Sequence, residues 1–127
     1  MTCLRGASAV QKILEERREK PLHVFVVWEP VIVTDLGPPS AKTLALVADP
    51  RVVQFWDRGR HLSHTIFASA RHDPKVLGWE VEGEEEIVWD WAASFPAGTT
   101  WDEGTFPSPT FATCPVVGDL PGLRAAL

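Results

Sequence analysis

The sequence has few cysteines, no tyrosine and no long apolar run. Two cysteines in 127 residues are too few for a disulfide scaffold or for a structural zinc site. No stretch approaches the roughly 18 apolar residues of a transmembrane helix, so the sequence predicts no membrane partner. The start, Met1 to Arg5, lacks the apolar core of a secretory signal. These absences favour a cytoplasmic protein.

Positive charge is also scarce, and it is scattered. Twelve lysines and arginines stand against 17 acidic residues, which gives a net charge of −5. Because phosphate neutralisation needs clustered lysine and arginine, we expect no nucleic acid partner. The sequence contains no phosphate-binding glycine loop, no nucleophile-elbow serine and no dinucleotide fingerprint, and we expect no cofactor.

The residues that are present have an ordinary globular composition, with 45% hydrophobic and 23% charged. A chain of this length predicts a single domain over 1–127. Apolar spacing predicts a helix over 4–19, which Pro21 ends. The β-branched run at 22–28 predicts a strand that is covered on both faces, as in a parallel sheet.

Two capping signals follow the buried strand. Ser40 is a good N-cap for a helix over 41–48. Asp49 predicts the N-cap of a second short helix, with Pro50 at its first position and its end at Asp57.

The order of elements favours an α/β fold in which helices flank a small mixed sheet. The remaining chain is assigned from alternation and from turn residues: a strand at 64–69, a surface connection at 71–86, a half-buried strand at 87–95, a returning hairpin strand that begins at 99–101, an irregular wrap at 103–121 and a short helix at 121–127.

The cysteine at the head of the first predicted helix is the sharpest chemical feature. Unpaired N–H groups and the helix dipole favour an anion there, so the pattern predicts a lowered pKa and a nucleophilic thiolate for Cys3. Arg5 adds positive charge nearby. The alternative is an incidental cysteine near a frayed terminus. Cys114 is either a small apolar loop residue or a disulfide partner of Cys3, since sequence distance does not fix spatial distance.

Polar residues near the end of the predicted buried strand are weaker candidates. Glu29, with Pro30 after it, follows the carboxyl end of the strand, where α/β sheets bind ligands, and we expect it on the same sheet edge as Cys3. For Asp35 we favour a role in capping its loop. His61 and His64 have a spacing that suits a metal only on a helix, and we interpret them as exposed polar residues.

Several short motifs together resemble one superfamily. The stretch Cys3–Gln11, the strand end Val27-Trp28-Glu29-Pro30, the run Phe55-Trp56-Asp57 and the strand Trp89-Asp90-Trp91 resemble the thioredoxin-like superfamily. The resemblance is to its poorly characterised bacterial members with Val-Trp-x-Pro and Phe-Trp-Asp motifs. It implies a thioredoxin-like three-layer fold, in which the first strand before the helix is missing from this sequence. The absence of that strand suggests either a chain that starts late or a sheet that a second copy completes in a homodimer.

The resemblance also implies a cis-proline that faces the active-site helix, a position that Pro115 could take and that would bring Cys114 beside Cys3. The family's usual second active-site cysteine is absent at the helix head. Three functions therefore stay open. The first is thiol–disulfide redox chemistry with Cys3 as nucleophile and a thiol or protein redox partner. The second is a non-catalytic binding module that uses Glu29, Pro30 and Asp35. The third is handling of a soft metal through Cys3 and Cys114.

Overall fold

The computed structural model of this protein describes residues 2–84, 87–102 and 106–127 and combines helices with short strands in a mixed α/β arrangement. The elements follow one another in this order: helix α1 (Thr2–Glu16), strand β1 (Val24–Trp28), helix α2 (Ala41–Leu44), strand β2 (Val52–Trp56), helix α3 (His61–Ala70), a 3-10 helix (Pro74–Val76), strand β3 (Ala92–Ser94), strand β4 (Phe111–Thr113), a second 3-10 helix (Val116–Asp119) and helix α4 (Leu120–Ala126).

The strands form two separate two-stranded sheets in the described part of the chain. Strands β1 and β2 are parallel, with Val24 opposite Val52, and β3 and β4 are antiparallel, with Ala93 opposite Ala112. The expected single mixed sheet is therefore corrected to two. Just before β3, Asp90 has a left-handed backbone (φ 50°), which takes the chain out of the extended conformation and shortens that strand.

The first predicted helix is confirmed, and a long-range contact anchors its end. Helix α1 ends at Glu16, where its last carbonyl groups lack partners within the helix. The Arg51 guanidinium donates to the carbonyl oxygens of Leu14 (2.7 Å), Arg17 (2.6 Å) and Lys20 (2.9 Å). A side chain that immediately precedes β2 thus ties α1 to the parallel sheet.

The two capping predictions have different outcomes. Ser40 is the N-cap of α2, because its Oγ accepts a bond from the Thr43 N–H at 3.2 Å, but the helix ends at Leu44 rather than at 48. The helix predicted after Asp49 is wrong, since its residues form β2. The Asp49 carbonyl accepts from the Val52 N–H at 3.0 Å, which makes a turn rather than a helix start.

The strand predicted at 64–69 is wrong, because those residues belong to α3. The buried side chains of α3 are Ser63, Ile66, Phe67 and Ala70, which have the spacing of one helix face. The β-branched pair that precedes Phe67 favours a strand locally. Burial of the whole face in the core outweighs that preference.

The hairpin was predicted with the wrong partner. The half-buried strand predicted at 87–95 is reduced to β3, and its returning strand is β4 rather than one beginning at 99–101. Trp101 is half-exposed and packs edge-on against the buried Phe106 ring, with 5.0 Å between centroids, rather than in the β3–β4 hairpin. Trp89, which lies in the segment predicted as that half-buried strand, is 49% exposed.

Two apolar clusters hold these elements together. One lies under α3 and comprises Ile66, Phe67, Ala70, Val76, Leu77 and Phe106. The other joins α1 to the end of the chain and comprises Ile13, Val116 and Leu123. Helix α4 occupies almost the range predicted for the final helix. In the described ranges, no helix is long and apolar enough to cross a bilayer.

Candidate functional site

The first turn of α1 faces the segment that follows β4. Cys3 lies in that first turn, and Cys114 with Pro115 comes directly after β4. The Cys114–Pro115 peptide bond is cis, as the resemblance implied. The α1 helix packs on the 3-10 helix that Pro115 introduces. The two cysteines, from opposite ends of the sequence, are close enough for the charge of Cys3 to act on Cys114.

Both thiols are held in the protonated form. Burial and the nearby Asp90 carboxylate raise the pKa of Cys3, although the Asp90 backbone N–H partly opposes them. Burial, Asp90 and Cys3 together raise the pKa of Cys114 to about 11. The Cys114 thiol also donates to the Trp89 carbonyl oxygen at 2.7 Å. The predicted lowering of the Cys3 pKa is therefore wrong, because burial and a like charge outweigh the helix start.

Asp90 is the carboxylate at the centre of this cluster. Its side chain lies so close to the first turn of α1 that a Cβ at Gly6 would overlap Oδ1. Its Oδ2 is buried and has no hydrogen-bond partner among the described residues. Its backbone carbonyl accepts from the Val116 N–H at 2.7 Å. Burial raises the pKa of Asp90. When its carboxyl group is ionised, the negative charge disfavours a thiolate beside it. We call Cys3, Cys114 and Asp90 the thiol cluster.

A second polar cluster lies at the carboxyl ends of β1 and β2. Glu29 follows β1, Asp57 follows β2, and the side chains of both accept bonds from the start of α3. The Ser63 N–H donates to Glu29 Oε1 at 3.0 Å, and the Ser63 hydroxyl donates to Oε2. Asp57 Oδ2 accepts from the Leu62 N–H at 2.8 Å. Burial, with a further contribution from Asp57, raises the Glu29 pKa despite the bonds from Ser63.

The remaining predicted site residues are not part of the thiol cluster. Asp35 holds its own loop, since its Oδ2 accepts from the N–H groups of Val31 (2.8 Å) and Ile32 (3.0 Å). Pro30 is half-buried after β1, and Arg5 is exposed on α1. The largest charge effect on Cys3 comes from Asp90 rather than from Arg5. The carboxylate expected beside Cys3 was Glu29, so that expectation is corrected to Asp90.

The histidines do not assemble a metal centre in the part of the chain that the structure describes. His61 and His64 both lie on α3 and are exposed, as is His72. Among the described residues, no group of three or more His, Cys, Asp or Glu side chains is placed to hold a metal ion. The three residues of the thiol cluster are likewise not placed to hold a metal ion together.

Sequence reasoning overlooked two residues of these clusters. From the sequence, Asp90 is named only as part of the Trp89-Asp90-Trp91 motif, and Ser63 is not singled out. A signal for Asp90 exists in the sequence, because an aspartate between Trp89 and Trp91 interrupts an apolar run. For Ser63 the signal is its position on the apolar face of α3, which is visible only once that segment is assigned as a helix.

Comparisons with known proteins add no relative. No family model, no curated protein and no solved structure matches this chain.

Proposed function

We propose that this protein exchanges thiols and disulfides through Cys3 and Cys114. The observation that carries the proposal is the juxtaposition of the two thiols, one in the first turn of α1 and the other in the cis-proline segment after β4. Both side chains are half-exposed, so a substrate disulfide has access to them. The exposed Trp89 ring lies next to this segment and offers apolar surface to a partner.

The balanced reaction converts two protein thiols into one disulfide. The Cys3 thiolate attacks a disulfide-bonded substrate, forms a mixed disulfide and releases the first substrate thiol. The Cys114 sulfur then attacks the Cys3 sulfur and releases the second. The two protons of the protein thiols end on the two product thiols, and the substrate is reduced.

The roles follow from what surrounds each sulfur. The Cys3 sulfur accepts a bond from a backbone N–H, which favours its thiolate. For Cys114 burial, Asp90 and Cys3 all act against ionisation. Cys3 is therefore the nucleophile, and Cys114 is the thiol that resolves the mixed disulfide. Because the balance of effects raises the pKa of both thiols in the reduced protein, its disulfide is a poor oxidant, and the dithiol acts as a reductant.

The proposal has two broader parts, one on the fold and one on the location in the cell. The cysteine in the first turn of α1 and the Pro115 segment that faces it support a thioredoxin-like fold, whereas the two separate two-stranded sheets do not. A dithiol that works as a reductant suits the cytoplasm, where thiols are kept reduced.

The test uses oxidised glutathione as the disulfide probe. Reduced protein is incubated with it near neutral and alkaline pH, quenched with acid and mapped by peptide mass spectrometry. We expect a Cys3–Cys114 disulfide in the unaltered protein, formed faster at alkaline pH. We expect a glutathione adduct that persists on Cys3 in Cys114→Ser.

Two outcomes contradict the proposal. One is two independent glutathione adducts in the unaltered protein, without an internal disulfide. The other is tight uptake of copper(I) by the reduced pair in equilibrium dialysis, without disulfide exchange, which would favour soft-metal handling instead.

A further inference from the structure

A buried hydroxyl links the second polar cluster to the segment that carries Asp90. Ser63 is 1% exposed. Its Oγ donates to Glu29 and accepts from the Val88 N–H at 2.9 Å. A buried hydroxyl is costly unless its hydrogen bonds are made, and this one donates and accepts at once. The hydroxyl therefore bridges the end of β1 and the backbone at residue 88.

The bridged backbone leads directly into the thiol cluster. The residue after Val88 is Trp89, whose carbonyl accepts the bond from Cys114. The next residue is Asp90, whose N–H contacts the Cys3 sulfur and whose carboxylate acts on both thiols. On the far side Asp90 is held by the Val116 N–H at 2.7 Å. The segment at 88–90 is thus fastened at its start by Ser63 and at its end by Val116.

We propose that Ser63 is a positioning residue for the thiol cluster. Its hydroxyl, oriented by the Glu29 carboxylate, fixes residues 88–90 against Cys3 and Cys114 and so sets how readily these thiols react. The biological meaning of this inference rests on the proposed function, but the hydrogen bonds from which it is argued do not depend on that function.

Apolar contacts alone do not supply this fixation. The Val88 side chain packs against the core cluster under α3, but apolar packing is non-directional. A hydrogen bond to a backbone N–H sets both distance and angle, and the acceptor here is itself oriented by a carboxylate. Ser63 lies in the first turn of α3, on the face that packs into the core, so that packing sets its position.

The experiment compares Ser63→Ala with Ser69→Ala, a half-buried serine on the same helix. Peptide-resolved mass spectrometry follows the alkylation of each cysteine by iodoacetamide across a pH series. Loss of the bond to the Val88 N–H frees the start of the 88–90 segment, so Asp90, which Val116 still holds at the other end, is kept less closely against the thiols. We therefore expect the thiols of Ser63→Ala to be alkylated roughly three- to tenfold faster near pH 8, because their pKa values fall as the charge of Asp90 acts on them less. Ser69→Ala should follow the unaltered protein.

A merely structural role for Ser63 gives a different result. It would lower the melting temperature of Ser63→Ala and leave the alkylation profile of the folded protein unchanged, which overturns the inference. If Ser63→Ala does not fold, Glu29→Gln weakens the same bridge while keeping its shape, and an unchanged profile in that variant also overturns it. Asp57 is the other carboxylate that faces Glu29, so Asp57→Asn serves as its charge control.

The same samples separate this inference from the proposed function. Exchange with oxidised glutathione is measured alongside alkylation. A shifted alkylation profile without disulfide exchange in any sample supports the positioning role and contradicts the redox function. Normal disulfide exchange together with an unchanged alkylation profile in Ser63→Ala supports the redox function and contradicts the positioning role.

Discussion

At the scale of single residues, the reactivity of Cys3 depends on which of two opposing effects is larger. A helix N-terminus stabilises an adjacent anion by about 0.3–1 kcal/mol when exposed. Partial burial and a neighbouring carboxylate oppose it, and a pKa change of one unit is already about 1.4 kcal/mol. In this chain burial and Asp90 prevail, so the pKa of Cys3 rises. A cysteine at a helix start is therefore no guarantee of a thiolate.

Replacement of Asp90 isolates the charge. Asp90→Asn keeps the side-chain shape, and asparagine tolerates the left-handed backbone that this position requires. We expect the pKa of Cys114 to fall below its value of about 11 and that of Cys3 to fall with it, because the like charge is gone. Thiolate ultraviolet absorbance against pH measures both. Asp35→Asn, on an exposed loop, is the control, and equal profiles in the two variants would refute the role of Asp90.

At the scale of elements, α1 depends on a residue outside the helix. Arg51 donates to the Leu14 carbonyl in the last turn of α1 and to two carbonyls just after the helix. Its side chain is 17% exposed and is itself held by Asp49 at 2.7 Å. That ion pair is partly shielded from solvent, and the Asp49 pKa is lowered to about 2 by the bond from Arg51. The helix that carries Cys3 is thus fastened to the turn before β2.

Loss of the Arg51 guanidinium tests this anchor. Arg51→Ala removes the guanidinium from three carbonyl oxygens and from the Asp49 carboxylate, although each of these groups keeps a backbone donor. We therefore expect a lower free energy of unfolding, with a loss clearly larger than that at an exposed arginine. Urea denaturation followed by circular dichroism measures it. Arg58→Ala, at an exposed arginine, should change stability by less than about 0.5 kcal/mol. A loss as small as that in Arg51→Ala would mean that the anchor is not needed.

Element types show where local patterns suffice. The helix at the start, a strand within 22–28 and the N-cap Ser40 were predicted correctly, because spacing and capping are local signals. The strand is not covered on both faces as predicted, since Phe25 is 65% exposed. The segments at 52–56 and 64–69 were assigned the wrong type. Both segments are short, so their local pattern does not decide between helix and strand. Pairing with β1 makes 52–56 a strand, and burial of one helix face makes 64–69 part of α3.

At the scale of the whole molecule, protonation links the thiol cluster to stability. An unfolded cysteine titrates near 9.0, whereas Cys114 in the folded chain titrates at about 11. Between these values the unfolded state has lost a proton that the folded state retains. Stability from this group is therefore complete below about pH 9 and is lost as the pH rises through 11.

The alkaline stability of the reduced protein should reflect this difference. We expect the free energy of unfolding to fall by about 1 kcal/mol between pH 9 and 11 from Cys114, after allowance for solvent screening of a half-exposed group. Chemical denaturation at several pH values in the presence of reductant measures it. Cys114→Ser is the comparison, because other groups titrate equally in both proteins. Parallel curves for the two proteins would contradict the raised pKa.

Local sequence determined that a cysteine stands at the head of an amphipathic helix, that an apolar strand follows, and that Asp35 and Ser40 cap their own segments. These features depend on neighbours a few residues apart, so spacing and side-chain chemistry were enough. Tertiary structure alone decided that Cys114 and Asp90 lie against Cys3 and that Ser63 fastens the segment between them. Burial and charge at a site depend on which distant segments pack together, and so the direction of the thiol pKa could be known only after the chain had folded.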